Sequence, residues 1–171
     1  MTKGSAQTFH KQEASPFAAM IEEHYDAVYR YCYSLTQHRS TAQDITQEVF
    51  LRFVGNRRYT DQGKPLAYLF TIARNLCHDW RRQKPAYPLE EMQEELLATD
   101  TDADEDVILL WQLVHTLPSP QREVILLRYG QDLKLDEIAR ITHTTRFAVQ
   151  YRLKTALAAL RRKLSEQEEH E

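Results

Sequence analysis

Glycine and proline are scarce in this chain, whose 171 residues include four glycines and six prolines. Repeated β-hairpins and βαβ crossovers both need more turn residues than these, and no segment shows the clear polar–apolar alternation of a strand. A chain of this length can bury one modest core or two small ones. The sequence therefore predicts an all-α fold built from small helical domains.

Cysteine is also scarce, and the two cysteines, Cys32 and Cys77, each lie within an apolar helical stripe. This setting favours buried, reduced thiols over a disulfide. Neither cysteine has the spacing of a metal-ligand motif, and the chain contains no His-x-x-x-His pair and no glycine-rich phosphate loop. We expect no metal site and no cofactor, and an enzyme is the weakest of the functions that the composition allows.

Long apolar runs are absent as well. No stretch approaches the roughly 20 apolar residues of a membrane span, and the opening residues, MTKGSAQTFHKQEASP, lack the hydrophobic segment of a secretory signal. We therefore expect a cytoplasmic protein that does not insert into a membrane. Residues 1–15 are polar and have no helical period, which predicts a disordered leader.

The net charge of −3 conceals a strong segregation of sign along the chain. Arg52–Lys84 contains eight basic and two acidic residues, and Arg140–Lys163 contains seven basic residues and no acidic one. Between them, Tyr87–Val107 has nine acidic residues and no basic one, and the last eight residues carry four more carboxylates. Two positive segments separated by a negative one are compatible with a polyanionic partner, despite the negative total.

The first half of the chain, residues 16–84, predicts a domain of three helices. Ser40 begins a Ser-Thr-Ala-Gln capping box that would start the second helix. Pro65 lies in the first turn of the third helix, where its missing N–H costs nothing. The predicted helices span 17–37, 41–55 and 65–83, and the predicted loop spans 56–64.

Residues 85–106 are acidic, contain proline and are poor in aromatic residues, which is the composition of a linker. The second half, residues 107–165, predicts another helical domain, in which Ser119 would be an N-cap. An acidic tail follows at 166–171. The predicted helices of the second half span 107–116, 120–129, 135–142 and 145–165.

The segment from Leu135 to Leu164 has the pattern of a helix-turn-helix, with a short helix, a turn of three or four residues and a longer helix. In this arrangement the second helix can lie in the major groove of DNA. An ordinary helical hairpin with a solvated basic face is the alternative. The side chains expected to pack the two helices together are Ile138, Ala139, Val149, Leu153, Ala156 and Leu160, and those expected to face outward include Arg146, Gln150, Tyr151, Lys154 and Arg161 or Arg162.

The predicted helix PLAYLFTIARNLCHDWRRQ, from Pro65 to Gln83, has two occupied faces. Aromatic and amide groups beside arginines suit single-stranded nucleic acid, because bases stack on rings while guanidinium groups hold phosphates. Alternatively, Tyr68 and Trp80 are core or boundary residues. The apolar face comprises Leu66, Leu69, Phe70, Ala73, Leu76, Cys77 and Trp80, and the polar face comprises Tyr68, Thr71, Asn75, His78 and Arg82.

Several blocks of the sequence resemble a known family. AQDITQEVFLRF (42–53), PLAYLFTIARNLCHDWRR (65–82) and LPSPQREVILLRY (117–129), followed by the helix-turn-helix, are similar to successive blocks of the extracytoplasmic-function (ECF) sigma factors. The resemblance covers nearly all of residues 17–164 in the order and spacing of the family. It implies that the first domain binds core RNA polymerase and opens the minus-ten element of a promoter, and that the second domain reads the minus-thirty-five element.

The resemblance also assigns roles to individual residues. On the second helix, the polymerase-binding residues would be Asp44, Gln47, Glu48, Phe50 and Leu51, although this cluster alone would suit a solvated acidic face. The minus-ten DNA would contact Asn56, Tyr59, Tyr68, Arg74, Asn75, Arg81 and Arg82. The minus-thirty-five DNA would contact Arg146, Gln150, Tyr151, Arg152 and Lys154.

The chain departs from the family's pattern at two places. Tyr68 occupies a position where the family usually has tryptophan. In the recognition helix, the usual Gly-Thr-Val-Lys-Ser-Arg-Leu run is replaced by Phe-Ala-Val-Gln-Tyr-Arg-Leu at 147–153, which keeps Arg152 and the apolar anchors. The changes at Phe147, Gln150 and Tyr151 suggest an unusual or weakened promoter preference.

The resemblance gives the acidic linker two readings: it occupies nucleic-acid channels of the polymerase, or it is a solvated spacer. It also implies an anti-sigma factor as a partner, together with core RNA polymerase and promoter DNA. The competing hypothesis is an autonomous helix-turn-helix regulator that binds duplex DNA without polymerase. Such a regulator would have no use for the Asp44 cluster or for the polar face of the Pro65–Gln83 helix.

Overall fold

The computed structural model describes residues 16–56, 65–83 and 105–168, and every regular element in those ranges is helical, which confirms the predicted all-α fold. The predicted leader, loop residues 57–64, the linker up to residue 104 and the last three residues of the tail lie outside the described ranges. The elements are α1 (Pro16–Thr36), α2 (Arg39–Gly55), α3 (Pro65–Gln83), α4 (Glu105–His115), α5 (Ser119–Ile125), a π-helical turn (Leu126–Gly130), α6 (Leu135–Ile141) and α7 (Arg146–Glu168).

Helices α1, α2 and α3 pack against one another as a three-helix unit. The predicted apolar face of α3 is largely confirmed, because Leu69, Phe70, Ala73 and Cys77 are fully buried, whereas Leu66, Leu76 and Trp80 are only partly buried at its edges. Cys32 of α1 and Cys77 of α3 are both buried and form no disulfide, as predicted. Proximity to Cys32 and burial raise the pKa of the Cys77 thiol, so it stays protonated.

The start of α2 differs from its prediction. The N-cap is His38, whose Nδ1 accepts a hydrogen bond from the Thr41 amide at 3.4 Å, and Ser40 is already inside the helix. Gln37 adopts a left-handed backbone with φ of 55° and reverses the chain between α1 and α2. Helix α2 therefore starts at Arg39, and the imidazole takes the role predicted for the Ser40 hydroxyl.

A similar correction applies to α5. Its N-cap is Pro118, whose carbonyl accepts the amides of Gln121 and Arg122 at 2.9 and 3.0 Å, and Ser119 is the first helical residue. Proline provides a carbonyl but no side-chain cap. The Ser119 hydroxyl instead accepts a hydrogen bond from Arg81 Nη1 of α3 at 3.3 Å.

Helices α6 and α7 form the predicted helix-turn-helix. The turn is a Schellman motif, in which His143 N–H donates to Arg140 O at 3.3 Å and Thr144 N–H donates to Ala139 O at 2.9 Å. His143 holds the left-handed position of this motif with φ of 50°. All six predicted packing residues are buried, namely Ile138, Ala139, Val149, Leu153, Ala156 and Leu160.

Helix α7 extends to Glu168, past residue 166 where the acidic tail was predicted to begin. Arg162 Nε lies 3.7 Å from Glu166 Oε1 one turn later, and such a pair supports the continuation of a helix. The start of the predicted tail is therefore helical.

The two halves of the chain pack against each other. Helix α1 contacts α5, and α3 contacts α6, the first helix of the helix-turn-helix. Buried side chains of both halves form one connected apolar cluster. Part of α3 therefore lies beside the second half, and this position decides which of its side chains are available to a ligand.

Candidate nucleic-acid interface

The polar face of α3 is graded in exposure. Asn75, His78 and Arg82 are exposed, whereas Tyr68 and Thr71 are partly buried. Of the two neighbouring arginines, Arg81 is exposed and Arg74 is partly buried. Arg82 also pairs with Asp79 on its own helix. Partial desolvation of its ring and the charge of nearby Arg74 lower the pKa of His78, although the residue as a whole is exposed. The positive charge of this face near neutral pH therefore comes from its arginines.

Two of the predicted minus-ten residues meet at the start of α3. Asn56, at the end of α2, donates a hydrogen bond from Nδ2 to the Tyr68 hydroxyl. The Tyr68 ring lies against Phe53, with centroids 6.0 Å apart and planes tilted by 53°. An aromatic ring and an amide are thus held together beside the predicted loop, and Tyr59 lies outside the described residues.

Arg74 does not face solvent as a DNA-binding arginine would. Its Nε donates to Glu123 Oε1 of α5 at 2.8 Å, and the two side chains are 16% and 4% exposed. The same carboxylate oxygen accepts the Tyr31 hydroxyl of α1 at 2.7 Å. Burial, followed by the charge of Glu123, raises the pKa of Tyr31 well above its usual value, so Tyr31 is a donor at any physiological pH.

Glu123 was not among the residues singled out in the sequence, although it is central to this cluster. The available signal was its position in the run REVILL, where one acidic residue is followed by four apolar ones. A carboxylate at such a position is buried with its helix face and needs donors there. Its donors, from α1 and α3, are 92 and 49 residues away along the chain, and the sequence pattern does not reveal them.

Helix α7 presents a polar and positively charged face. Arg146, Gln150, Tyr151 and Lys154 are exposed, and Arg152 is partly buried. Arg146 Nη1 lies 3.9 Å from Asp136 Oδ2 of α6, an exposed and therefore weak ion pair. Most of the predicted minus-thirty-five set thus lies on the solvent side of the recognition helix.

Phe147 is the most exposed of the large apolar residues that the structure describes, with 79% of its surface accessible. The sequence marked it only as a departure from a family pattern. Its position, one residue after Arg146 and four before Tyr151, places it on the same solvent side of α7.

Most of the predicted polymerase-binding face of α2 is exposed, but one member is not. Asp44 and Gln47 face solvent, Leu51 is 68% exposed, and partly buried Glu48 accepts a hydrogen bond from Arg52 Nε at 2.6 Å. Phe50 is 5% exposed and stacks on Tyr25 with ring centroids 6.0 Å apart. Phe50 is therefore a core residue in this structure, about 100° around the helix from Leu51, and it does not lie on the exposed face of α2 with Asp44, Gln47 and Leu51.

None of the described helices combines the length and the apolar character of a membrane span. Among the same residues, no cluster of three or more His, Cys, Asp or Glu side chains is placed to hold a metal ion.

Family models match both halves of the chain. The Sigma-70 region 2 model matches residues 20–86, and the Sigma-70 region 4 model matches residues 108–160. The ECF RNA polymerase sigma factor SigW of Bacillus subtilis is 30% identical over an alignment of 182 positions, which covers 96% of this chain and 97% of that protein. The ECF RNA polymerase sigma factor BldN of Streptomyces coelicolor is 35% identical over 164 residues, and this match spans 61% of BldN.

Solved structures share the fold at lower sequence identity. The sigma factor RpoE of Bartonella quintana, in complex with the anti-sigma factor NepR, superposes with a TM-score of 0.69 at 19% identity, over 87% of this chain and 96% of that one. CnrH, in complex with the cytosolic domain of CnrY, gives a TM-score of 0.64 at 22% identity over 88% of each chain.

Proposed function

Because this chain belongs to the ECF family of RNA polymerase sigma factors, we propose that its first half binds core RNA polymerase and the minus-ten element while its second half reads the minus-thirty-five element. The chain directs promoter-specific transcription initiation. In this proposal the polymerase carries out the chemistry, and the present chain selects where it begins. The protein would act wherever the cytoplasmic polymerase acts.

The exposed face of α2 carries the proposal. Asp44, Gln47 and Leu51 follow one another at steps of three and four residues, which places them on one side of the helix. Leu51 is 68% exposed, and Val54, three residues later, is 45% exposed. Apolar side chains surrounded by polar ones match the apolar core and polar rim of a protein–protein interface. An autonomous DNA-binding protein has no need of this surface.

The start of α3 suits the capture of an unstacked base. Extruding a base costs a few kcal/mol, and a pocket that stacks it and binds its edge can recover that cost. Tyr68 offers a ring, while Asn56 and Asn75 offer amides that can donate and accept hydrogen bonds. We assign these three residues to the minus-ten strand, and we assign the exposed Arg81 and Arg82 to its phosphates.

The recognition helix suits duplex DNA. Residues from Arg140 to Lys163 include no carboxylate, so the charged side chains of α7 up to Lys163 are all basic. Its N-terminal turns present Arg146 and Gln150, whose side chains hydrogen-bond to guanine and adenine edges respectively. Lys154, one turn further on, would bind phosphate.

We further propose that an anti-sigma factor binds this chain. The support is the RpoE structure, in which a sigma factor of the same fold is bound to the anti-sigma factor NepR. The exposed apolar residues of α2 and the basic face of α7 are surfaces that such a partner would cover. Neither surface identifies the partner.

Run-off transcription with purified core polymerase tests the proposal. Genomic fragments are transcribed with and without the full chain, and the new 5′ ends are mapped. We expect new start sites that depend on the chain and share two sequence elements at a fixed separation. Start sites that are unchanged by the chain would overturn the proposal. If the free protein binds the same duplexes as tightly as its polymerase complex does, the autonomous regulator is favoured instead.

A further inference from the structure

Two aromatic side chains lie unburied on the recognition helix. Phe147 is 79% exposed and Tyr151 is 62% exposed, and their separation of four residues places them side by side on one face of α7. An exposed phenylalanine ring forgoes the favourable free energy that burial of its apolar surface would contribute. A ligand that covers this pair recovers that free energy.

The surroundings of the pair indicate what covers it. Arg146, Gln150 and Lys154 are exposed around the two rings, and the chain has no acidic residue between Arg140 and Lys163. The resulting positive charge around the two rings is complementary to a polyanion. The pair also occupies the first two turns of the second helix of a helix-turn-helix, which is the part of that motif that meets base edges in the major groove.

The major groove has one strongly apolar feature, the C5-methyl group of thymine. We propose that Phe147 contacts thymine methyl groups in the minus-thirty-five element, with Tyr151 packed against the next base pair. This inference rests on the proposed function and adds to it a specificity-determining residue and the base that it selects. Removal of one buried methyl group corresponds to roughly a fourfold loss of affinity.

Replacement of thymine by uracil tests this contact, because uracil keeps every hydrogen-bonding group and lacks only the methyl. The full chain, assembled with core polymerase, is first used to select binding sites from duplexes randomised over the minus-thirty-five region. Each thymine of the selected site is then replaced singly by uracil. We expect roughly a fourfold weaker binding at one or two positions and no change at the others.

The variant Phe147→Ala should bind the thymine and uracil duplexes equally at those positions. Tyr129→Ala is the matched control, since Tyr129 is 61% exposed but lies outside α7, and it should discriminate as the natural chain does. Both variants alter exposed side chains and should melt at the temperature of the natural chain.

The inference is overturned if the natural chain does not distinguish thymine from uracil, or if Phe147→Ala distinguishes them equally well. The latter result would show that a side chain other than Phe147 contacts the methyl group. Either outcome, with polymerase-dependent initiation retained, leaves the proposed function intact. A natural chain that does not change initiation at all would overturn the proposed function and this inference together.

A second inference comes from the interface between the two halves. One carboxylate of α5, Glu123, accepts hydrogen bonds from Tyr31 of α1 and Arg74 of α3 at 2.7 and 2.8 Å. With its side chain 16% exposed, Arg74 cannot reach a phosphate while this pair persists. Helix α3 also packs against α6, the first helix of the helix-turn-helix.

We infer that Glu123 acts as an internal substitute for the DNA phosphate and holds the chain in a closed state. A carboxylate and a phosphate oxygen both accept the guanidinium N–H groups of arginine. Opening exposes Arg74 to the minus-ten strand and separates the two halves. The inference rests on the proposed function and on the contact with minus-ten DNA that the family resemblance implies for Arg74. It makes promoter binding compete with a contact inside the protein.

The variant Glu123→Gln tests the closed state, because glutamine keeps the shape but removes the charge. Nitroxide labels at Gln43→Cys and Ala158→Cys report the distance between the halves, since both positions are exposed and the natural cysteines are buried. We expect a several-fold larger population at long distances. Initiation at limiting polymerase should rise by a similar factor.

Asp136→Asn is the control, because Asp136 also pairs with an arginine, Arg146 at 3.9 Å, but this pair is exposed and lies within one half. It should leave the distance distribution unchanged. An unchanged distribution for Glu123→Gln would overturn the closed state. Longer distances without a rise in initiation would overturn the competition for Arg74, while the proposed function would still be judged by the run-off products of the natural chain.

Discussion

The hydroxyl of Tyr31 donates a hydrogen bond to the carboxylate of Glu123 at 2.7 Å, across 92 residues of sequence. Both residues are at most 3% exposed, so neither can exchange this bond for one to water. A buried carboxylate that keeps its donors contributes to stability, and one that loses a donor retains its full desolvation cost. The bond therefore joins the two halves energetically as well as geometrically.

Tyr31→Phe should lower the free energy of unfolding by about 1–3 kcal/mol, because it removes one donor from a buried carboxylate. Urea denaturation followed by circular dichroism measures this change. Tyr129→Phe is the control, since its hydroxyl lies on a residue that is 61% exposed, and it should alter stability by less than about 0.5 kcal/mol. Equal stabilities of the two variants would contradict the prediction.

His115 should make the protein less stable in mild acid. Its Nδ1 lies 3.4 Å from Gln37 Nε2 and 3.5 Å from Arg122 Nη1, so it faces two donors and has no place for a second proton. Burial and the charge of Arg122 lower its pKa to about 4 from a usual value of 6.5. The unfolded chain therefore binds a proton in this window that the folded chain refuses, and stability rises with pH.

The measurement is the free energy of unfolding between pH 4 and 7.5. We expect a loss of about 1–3 kcal/mol on acidification, beginning near pH 6.5 and continuing to about pH 4. His115→Gln should flatten most of this slope, whatever it does to stability at pH 7. His78, whose pKa is also lowered, would contribute a smaller slope of the same sign. An unchanged slope in His115→Gln would exclude His115 as its source.

Asn75→Ala should impair promoter opening without impairing polymerase binding. Asn75 is exposed on α3, whereas Arg74 is hydrogen-bonded to Glu123 of the second half. Loss of one hydrogen bond to a captured base should lower open-complex formation by roughly threefold to tenfold. Permanganate reactivity of thymines in the minus-ten element reports opening, and fluorescence anisotropy reports binding to core polymerase. A parallel loss in both assays would contradict the assignment.

Leu51→Ala should weaken binding to core polymerase by roughly tenfold and leave the melting temperature unchanged, because the side chain is 68% exposed. Phe50→Ala, one residue away, should instead lower the stability of the fold. Its ring is buried against Tyr25, and its removal should cost about 3–5 kcal/mol of stability. If Leu51→Ala destabilises the fold or binds polymerase normally, the docking face on α2 has been misassigned.

His143→Gly should stabilise the helix-turn-helix. His143 holds a left-handed conformation with φ of 50°, which costs a residue with a Cβ roughly 1 kcal/mol more than it costs glycine. The greater chain entropy of unfolded glycine offsets part of this gain, so we expect a net increase of about 0.5 kcal/mol. Thermal unfolding measures it, and His143→Ala, which keeps the strain, should show no gain. Equal effects of the two substitutions would argue against backbone strain at this turn.

The sequence predicted helix bounds best where residues with strong backbone preferences lie at both ends. Helix α3 starts at Pro65 and ends at Gln83, before Lys84 and Pro85, because proline is tolerated in a first helical turn and cannot continue a helix. Cap residues were less predictable. The N-cap of α2 is His38 and not the predicted Ser40, because the chain reversal at Gln37 decides which side chain reaches the first amides of the helix.

Among the site residues, too, some positions were predictable from the sequence and others were not. The outward positions of α7 follow from helical periodicity, and Arg146, Gln150, Tyr151 and Lys154 are all exposed as predicted. Phe50 is buried, unlike its neighbour Leu51, and a motif position does not specify which side of α2 faces the core. The burial of Arg74 was not predictable, since it depends on a carboxylate 49 residues later in the chain.

By itself, the sequence determined that the chain is helical, that its basic residues form two clusters, and that α6 and α7 make a helix-turn-helix. These properties follow from local periodicity and local charge, which act over a few residues. Only the tertiary structure decided that the two halves pack together, that Glu123 takes Arg74 and Tyr31 as its donors, and that Phe147 stays in water while Phe50 does not. These outcomes depend on contacts between distant segments, whose energies are set by burial and geometry that no local pattern contains.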